Sequence, residues 1–242
     1  TIYASRSAFC ALRHDKAVFC WGDKTTGGGG AAGLTNVKEI FTSSSTFIAL
    51  KEDSSIIAWG REPAPTQLKD VKTIKSMQCA FCALKNDNTV VMWGVFPSSK
   101  PFPAISDNLL TNSKALFTNS AACAILKNDG TVLSFGDPDS GGFPSGAISP
   151  TISNVKTIYS TSSAFCAVQN DASVPGCWGS RNTGGFLPVG GVSDVVDMIG
   201  TNDKFIARHS DGTVTMWGTN KQEVWRPSNF TNTQFISITV GK

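Results

Sequence analysis

The chain has 242 residues, of which 40% are hydrophobic and 16% charged, with a formal net charge of +3. A sizeable core is therefore available and wholesale disorder is excluded. The charge is too small to be a nucleic-acid or membrane footprint by itself, and no apolar run approaches the length a bilayer-spanning helix needs. The chain opens on Thr1 with no basic-then-apolar leader, which reads as a processed or excised piece.

Taken in order, the same segment recurs six times, at 11–22, 49–60, 83–94, 124–136, 167–179 and 207–218. Each is two short apolar runs joined by a turn, most plainly in Lys127-Asn128-Asp129-Gly130-Thr131. The turn aspartates are Asp15, Asp53, Asp87, Asp129, Asp171 and Asp211, spaced by 38, 34, 42, 42 and 40 residues. A period in this range marks a solenoid, propeller or array. Apolar residues three before and three after each aspartate predict a three-residue turn. The residue after the aspartate takes the left-handed position, which suits Gly130 and Gly212 and strains Lys16, Ser54 and Ala172.

Six after the aspartate come Trp21, Trp59, Trp93, Phe135 and Trp217, with Trp178 one later, and a glycine follows each. One aromatic per repeat at a fixed place predicts packing between blades rather than chemistry. Ahead of the hairpins lie further strand-like runs at 37–41, 71–74, 115–118, 155–159 and 195–199. Each unit thus has room for the three or four strands of a propeller blade. The start of the chain nearly repeats 157–167, and 232–237 matches 154–159. The reading is one all-β domain over 1–242, a β-propeller of six repeats with a C-terminal strand that closes the ring.

Leu126-Lys127-Asn128-Asp129-Gly130-Thr131-Val132 followed by an aromatic and Gly resembles the repeat of the regulator-of-chromosome-condensation (RCC1-like) β-propellers, and the resemblance covers essentially the whole chain. It implies a propeller that usually has seven blades, so six units leave either six blades or an incomplete seven-bladed ring. It also implies, as one activity, guanine-nucleotide exchange on a small GTPase, although no long charged loop stands out here.

The cysteines fall in the repeat columns. The first and fifth units alone carry Cys on both strands, across from each other, which predicts Cys10–Cys20 and Cys166–Cys177 bridges with Cys79–Cys82 as a third pair. The alternative is buried thiols acting as small hydrophobes. Bridges place the protein outside the reducing cytosol, secreted or at the cell surface; thiols leave it cytoplasmic or nuclear. Cys79 and Cys82 have no second Cys/His pair at finger-like spacing, so no metal or cofactor is expected. His14 and His209 flank hairpin turns and read as solvated. Asn229 begins the one glycosylation sequon.

Trp225 and Arg226, with Phe143 and Phe186, escape the repeat and suit a binding hot spot, or equally a plug for the side of the propeller. No nucleophile–base pair stands out. The expected function is a non-enzymatic scaffold that engages a protein partner through its blade loops, without nucleic acid. A lectin-like or loop-borne enzymatic propeller is the further alternative.

Overall fold

The structure is a computed structural model and describes residues 1–65, 68–94, 107–143, 152–219 and 221–225. The fold class is all-β, a β-propeller of six antiparallel sheets, with only four short 3-10 turns among the described residues. Sheet 1 comprises Ile2–Ala4, Ala8–Leu12 and Val18–Gly22. Sheet 2 comprises Val37–Thr42, Thr46–Lys51 and Ile56–Gly60, and sheet 3 Val71–Ser76, Ala80–Lys85 and Val90–Gly94. Sheet 4 is Ser113–Thr118, Ala122–Lys127 and Val132–Gly136; sheet 5 is Val155–Ser160, Ala164–Gln169 and Gly176–Gly179. Sheet 6 adds a fourth strand: Val195–Gly200, Lys204–His209, Val214–Gly218 and Lys221–Trp225. Two compact units divide the chain, Thr1–Ser113 and Lys114–Lys242.

The hairpins form as the repeat predicts. Arg13 N–H donates to the Ala17 carbonyl at 3.0 Å, enclosing His14, Asp15 and Lys16 as the loop. The third loop residue has positive φ in every unit: 65° at Lys16, 64° at Ser54, 63° at Asn88, 80° at Gly130, 65° at Ala172 and 82° at Gly212. The aspartate closes the turn from within. Asp129 Oδ1 accepts from Thr131 N–H at 2.9 Å and from its hydroxyl at 2.7 Å, and Asp53, Asp87 and Asp171 repeat the arrangement. These donors hold the carboxyls below the usual carboxylate range: at Asp53, Asp129 and Asp171 the hydroxyl leads, and at Asp87 the Lys85 ammonium leads.

Within each unit, one sheet packs its reverse face on the aromatic face of the next. Ala8, Cys10 and Val18 of sheet 1 meet Val37, Ile40, Phe47, Ala49 and Trp59 of sheet 2. Ile48 and Leu50 of sheet 2 meet Val71, Ile74, Phe81 and Trp93 of sheet 3. In the second unit Ala122, Ala124 and Leu126 lie on Phe165 and Trp178, and Ala164, Cys166 and Val168 on Phe205 and Trp217. Successive side chains on a strand point to opposite faces, so a run such as Ala-Phe-Cys-Ala-Val serves two interfaces at once. The all-apolar hairpins of the sequence are explained by this double burial.

The glycine after each aromatic is required by a close approach. A Cβ on Gly22, whose φ is +103°, would lie 2.7 Å from the Ser7 carbonyl oxygen of the neighbouring strand's approach loop. A second link runs along the loops that precede each central strand. Ser44 donates both its N–H (3.2 Å) and its hydroxyl (2.6 Å) to the Gln78 carbonyl. In the second unit, Ser120 does the same to Ser162, and Ser162 to Asn202.

Candidate interaction surface

Sheet 1 carries the same aromatic face as its successors but leaves it open. Phe9 lies directly across from Trp21, and the rings stack with centroids 5.7 Å apart; Phe19 stacks on Trp21 at 6.0 Å. Ile2, paired across from Ala11, extends the same face. Their exposures are 67% for Ile2, 44% for Phe9, 64% for Phe19 and 39% for Trp21. The equivalent pairs Phe47–Trp59, Phe81–Trp93, Phe165–Trp178 and Phe205–Trp217 stack at nearly the same separations and are buried. A stacked, rigid, contiguous aromatic patch on a framed sheet is the physical form of a protein-binding hot spot.

The reverse face of this sheet is stapled. Cys10 and Cys20 stand opposite each other and are disulfide-bonded, with Cα atoms 4.1 Å apart, the short spacing of a non-hydrogen-bonded pair. Cys166 and Cys177 repeat this bridge in sheet 5 despite the longer loop there. The expected third pair is corrected. Cys79 and Cys82 stand as thiols, as does Cys123. Cys82 is buried on its strand across from Met92, while Cys79, in the loop before the strand, turns its sulfur to the Ser44 hydroxyl at 3.8 Å. Three residues of extended chain span about 10 Å, too far for a disulfide.

Phe143 and Phe186 pack on different clusters rather than on one site. Phe143 is half-buried against the cluster between sheets 4 and 5, and its N–H donates to the Ser134 carbonyl at 3.2 Å. Phe186 packs on the cluster between sheets 5 and 6, with the Arg181 guanidinium 5.7 Å from its ring centre. Trp225 ends the fourth strand of sheet 6, in register with Val214. Arg226 and Asn229 lie outside the described residues, as does 232–237, where a ring-closing strand was expected.

His209 is not the solvated turn residue expected. It ends a strand of sheet 6 and bridges two elements, Nδ1 lying 2.7 Å from the Ser193 carbonyl and Nε2 2.8 Å from the Thr215 hydroxyl. A carbonyl can only accept, so Nδ1 carries the proton of the first bond. The adjoining cleft, about 280 Å³, is lined by Ser193, Asp194, Asp211 and Thr213. Sheet 5 explains the arrangement. There Gln169 donates to the Ser153 carbonyl at 2.6 Å and accepts from Ser173 at 2.7 Å, tying the same loop to the same hairpin. His209 is a loop tether in the place of a glutamine. Among the described residues, no group of three or more His, Cys, Asp or Glu gathers as a metal set, and no helix is long and apolar enough to cross a membrane.

The open face of sheet 1 escaped the sequence reading because exposure depends on a neighbour, which no column of the repeat encodes. One signal was present. Phe19 stands where other units have Ile57, Val91, Leu133 and Thr215, so a third ring joins the pair only in sheet 1.

No family model matches the chain, and no curated protein matches it in sequence. Solved structures do match. The chain is similar to the CRINKLY WD40 ectodomain of the Arabidopsis thaliana receptor kinase ACR4, at 17% identity over 90% of this chain and 83% of that one, with a TM-score of 0.55. The entire ectodomain of the Physcomitrella patens receptor kinase CR4 matches at 19% identity over 90% of this chain and 62% of that one, TM-score 0.57. Yeast RCC1 (Prp20), in its structure bound to Kap60, matches at 12% identity over 90% of this chain and 69% of that one, TM-score 0.54. At these identities the likeness establishes the β-propeller fold.

Proposed function

We propose that this chain is an RCC1-like propeller acting as a non-enzymatic protein-binding scaffold, held outside the reducing cytosol. The observation that carries the reading is the open Phe9–Trp21–Phe19 stack with Ile2 beside it. Aromatic rings fixed on a sheet lose little entropy on binding and give up water over a large area, which is what a protein partner exploits. The repeat of Asp, left-handed residue and Trp-Gly supports the RCC1-like assignment, and yeast RCC1 was solved with a protein, Kap60, bound to it. Two hairpin disulfides support an oxidising compartment, and two receptor-kinase ectodomains share the fold. The non-enzymatic part rests on the polar cleft beside His209, whose polar groups are engaged as a tether in the manner of Gln169.

The test places a photo-crosslinking phenylalanine at position 19 and, as a control, at the exposed Lys38 of sheet 2. Irradiation in a native secretome should give a discrete protein adduct from position 19 and none from position 38. Equal labelling from both positions, or none from either, overturns the reading.

A further inference from the structure

The third strand of each sheet has one side that its hairpin partner does not use. Cys10 and Cys20 form a non-hydrogen-bonded pair in sheet 1, and Ile48 and Ala58 hold the same place in sheet 2. The Ala58 N–H and carbonyl therefore turn away from the sheet, and those of Ile56 and Gly60 turn with them. In sheet 6 this side is taken by a fourth strand, antiparallel, with Val214, Met216 and Gly218 in register with Trp225, Glu223 and Lys221. Elsewhere the connecting loop reaches it. Val18 N–H donates to the Leu34 carbonyl at 3.0 Å and Val174 N–H to Val192 at 2.8 Å, while the Ser134 carbonyl accepts from Phe143 N–H at 3.2 Å.

Sheet 2 has no such cover. Among the described residues nothing bonds to the backbone of Ile56, Ala58 or Gly60. The link to sheet 3 is short, residues 61–70 against 23–36 after sheet 1, and residues 66 and 67 lie outside the described residues. Pro63 and Pro65 in this link have no N–H to offer. Its first two donors turn back instead of running along the edge, Arg61 N–H to the Ser45 carbonyl and Glu62 N–H to the Thr46 hydroxyl.

Edge strands are ordinarily guarded by a charge, a proline or a bulge. Ile56-Ile57-Ala58-Trp59 has none of these, and it pairs with its neighbour without a register shift. Ile57 is 41% exposed on the Trp59 face, while Ile56 and Ala58 join the cluster between sheets 2 and 3 beside Val91. Sheet 2 is the middle sheet of the first compact unit, packed on sheet 1 by one face and on sheet 3 by the other. What it leaves open is this edge.

We propose that the outer edge of sheet 2 is a docking site for an extended segment of a partner protein, which adds antiparallel to Ile56–Gly60 as Lys221–Trp225 adds to Val214–Gly218. The backbone groups of alternate residues on one side of a strand are met by another strand, and a helix has already spent its own. Side chains on the two faces set the preference. A β-branched residue opposite Ile57 completes an apolar cross-strand pair, and small or aliphatic residues on either side of it continue the Ile56 and Ala58 row. The segment is thus uncharged over its middle residues. This site is separate from the sheet 1 rings and does not rest on the reading given to them.

The probe is a fluorescent peptide of alternating valine and threonine with a lysine at each end, titrated into the full oxidised chain and followed by anisotropy. Ala58→Pro removes only an outward N–H, which an edge strand tolerates, and Ile57→Lys puts a charge on the edge. Each variant, first shown to melt cooperatively, should weaken binding about tenfold or more, whereas Phe19→Ser should leave it unchanged. Hydrogen exchange gives a second measurement. In the free chain the Ala58 amide should exchange fast and the Ile57 amide, bonded inward, slowly; saturating peptide should slow Ala58 about tenfold or more.

An Ala58 amide already protected in the free, monomeric chain overturns the proposal, as does a wild type that does not bind the peptide. Binding that survives both edge variants and is lost in Phe19→Ser moves the peptide to the sheet 1 rings, which discards the edge site and keeps the earlier reading. Sedimentation of the free chain covers the remaining occupant. Dimers that Ala58→Pro abolishes would put a second copy on the edge and overturn the assignment to a partner's strand.

Discussion

Sheets 1 and 2 are built from nearly the same residues and come to opposite fates. Both place a Phe across from a Trp and stack the rings within 6 Å. In sheet 2 the pair is covered by Ala8 and Cys10, and the indole N–H reaches the Gly27 carbonyl. In sheet 1 the rings face outward, and the staple on the reverse side, Cys10–Cys20, holds the hairpin that sheet 2 leaves to packing alone. Burial of an aromatic in a repeat protein is thus a property of its neighbour. The hairpin itself sets only where the ring points.

The largest expected contrast tests that statement directly. Trp59→Ala should cost about 3–5 kcal/mol, the usual loss for truncating a buried Trp, while Trp21→Ala should cost about 1 kcal/mol or less because its ring is already solvated. Chemical denaturation of the two variants checks this, and equal losses would show that the sheet 1 rings are covered in solution.

The staple comes next. Closing a loop of about ten residues gives about 2–3 kcal/mol by chain entropy, so Cys10→Ala with Cys20→Ala should lose that much, and reduction of the wild type at least as much. Thiol titration of the unfolded, unreduced chain should find three of the seven cysteines reactive, Cys79, Cys82 and Cys123. Seven would remove the bridges.

The turns sharpen the contrast further. Within the turn Asp53 accepts from the Ser55 hydroxyl and N–H, whereas Asp15 accepts from the Ala17 N–H, at 3.2 Å, with no hydroxyl beside it, and pairs outside the turn with the Arg13 guanidinium at 2.9 Å. Asp129→Ala, which removes both Thr131 bonds, should cost about 1 kcal/mol, and Ala17→Ser should raise the melting temperature slightly. Asp53, Asp87, Asp129 and Asp171 have carboxyls held below 3.8 in the folded chain, so the unfolded chain takes up protons first on acidification. Their contribution is complete above the ordinary value near 3.8 and is lost as the pH falls through the depressed folded values. Acid unfolding of Asp129→Ala should accordingly start from a lower plateau and fall less steeply.

The smallest effect is expected at the tether of sheet 6. His209→Gln should change stability by about 0.5 kcal/mol or less, because Gln169 in the same column makes the equivalent bond to the loop carbonyl and a second one to a hairpin hydroxyl in sheet 5, while His209→Ala should loosen the 191–194 loop to proteolysis.

Much of the fold was legible because the repeat is written in side-chain columns. The left-handed residue after each aspartate, the alternating faces and the two hairpin bridges all follow from local spacing, and the structure has them where the spacing put them. What escaped depends on elements distant in sequence. Cys79 and Cys82 are close in the chain yet turn to different neighbours, Ser44 and the Met92 strand. The identity of the open face was hidden for the same reason. Trp21 and Trp59 hold the same place in their hairpins, and their burial differs because of what lies above them.

The serine links along the loop rim carry a consequence for how the first unit comes apart. Sheet 2 is tied to sheet 3 by two donors from Ser44, but sheet 1 is tied to sheet 2 at that place by the Arg6 N–H alone, at 3.0 Å. Arginine has no hydroxyl to offer the carbonyl. A linear stack of repeats frays from its weakest terminal junction, so the amide proton of Arg6 should exchange with deuterium before that of Ser44. Sheet 1 would then lift away while the second and third sheets stay joined.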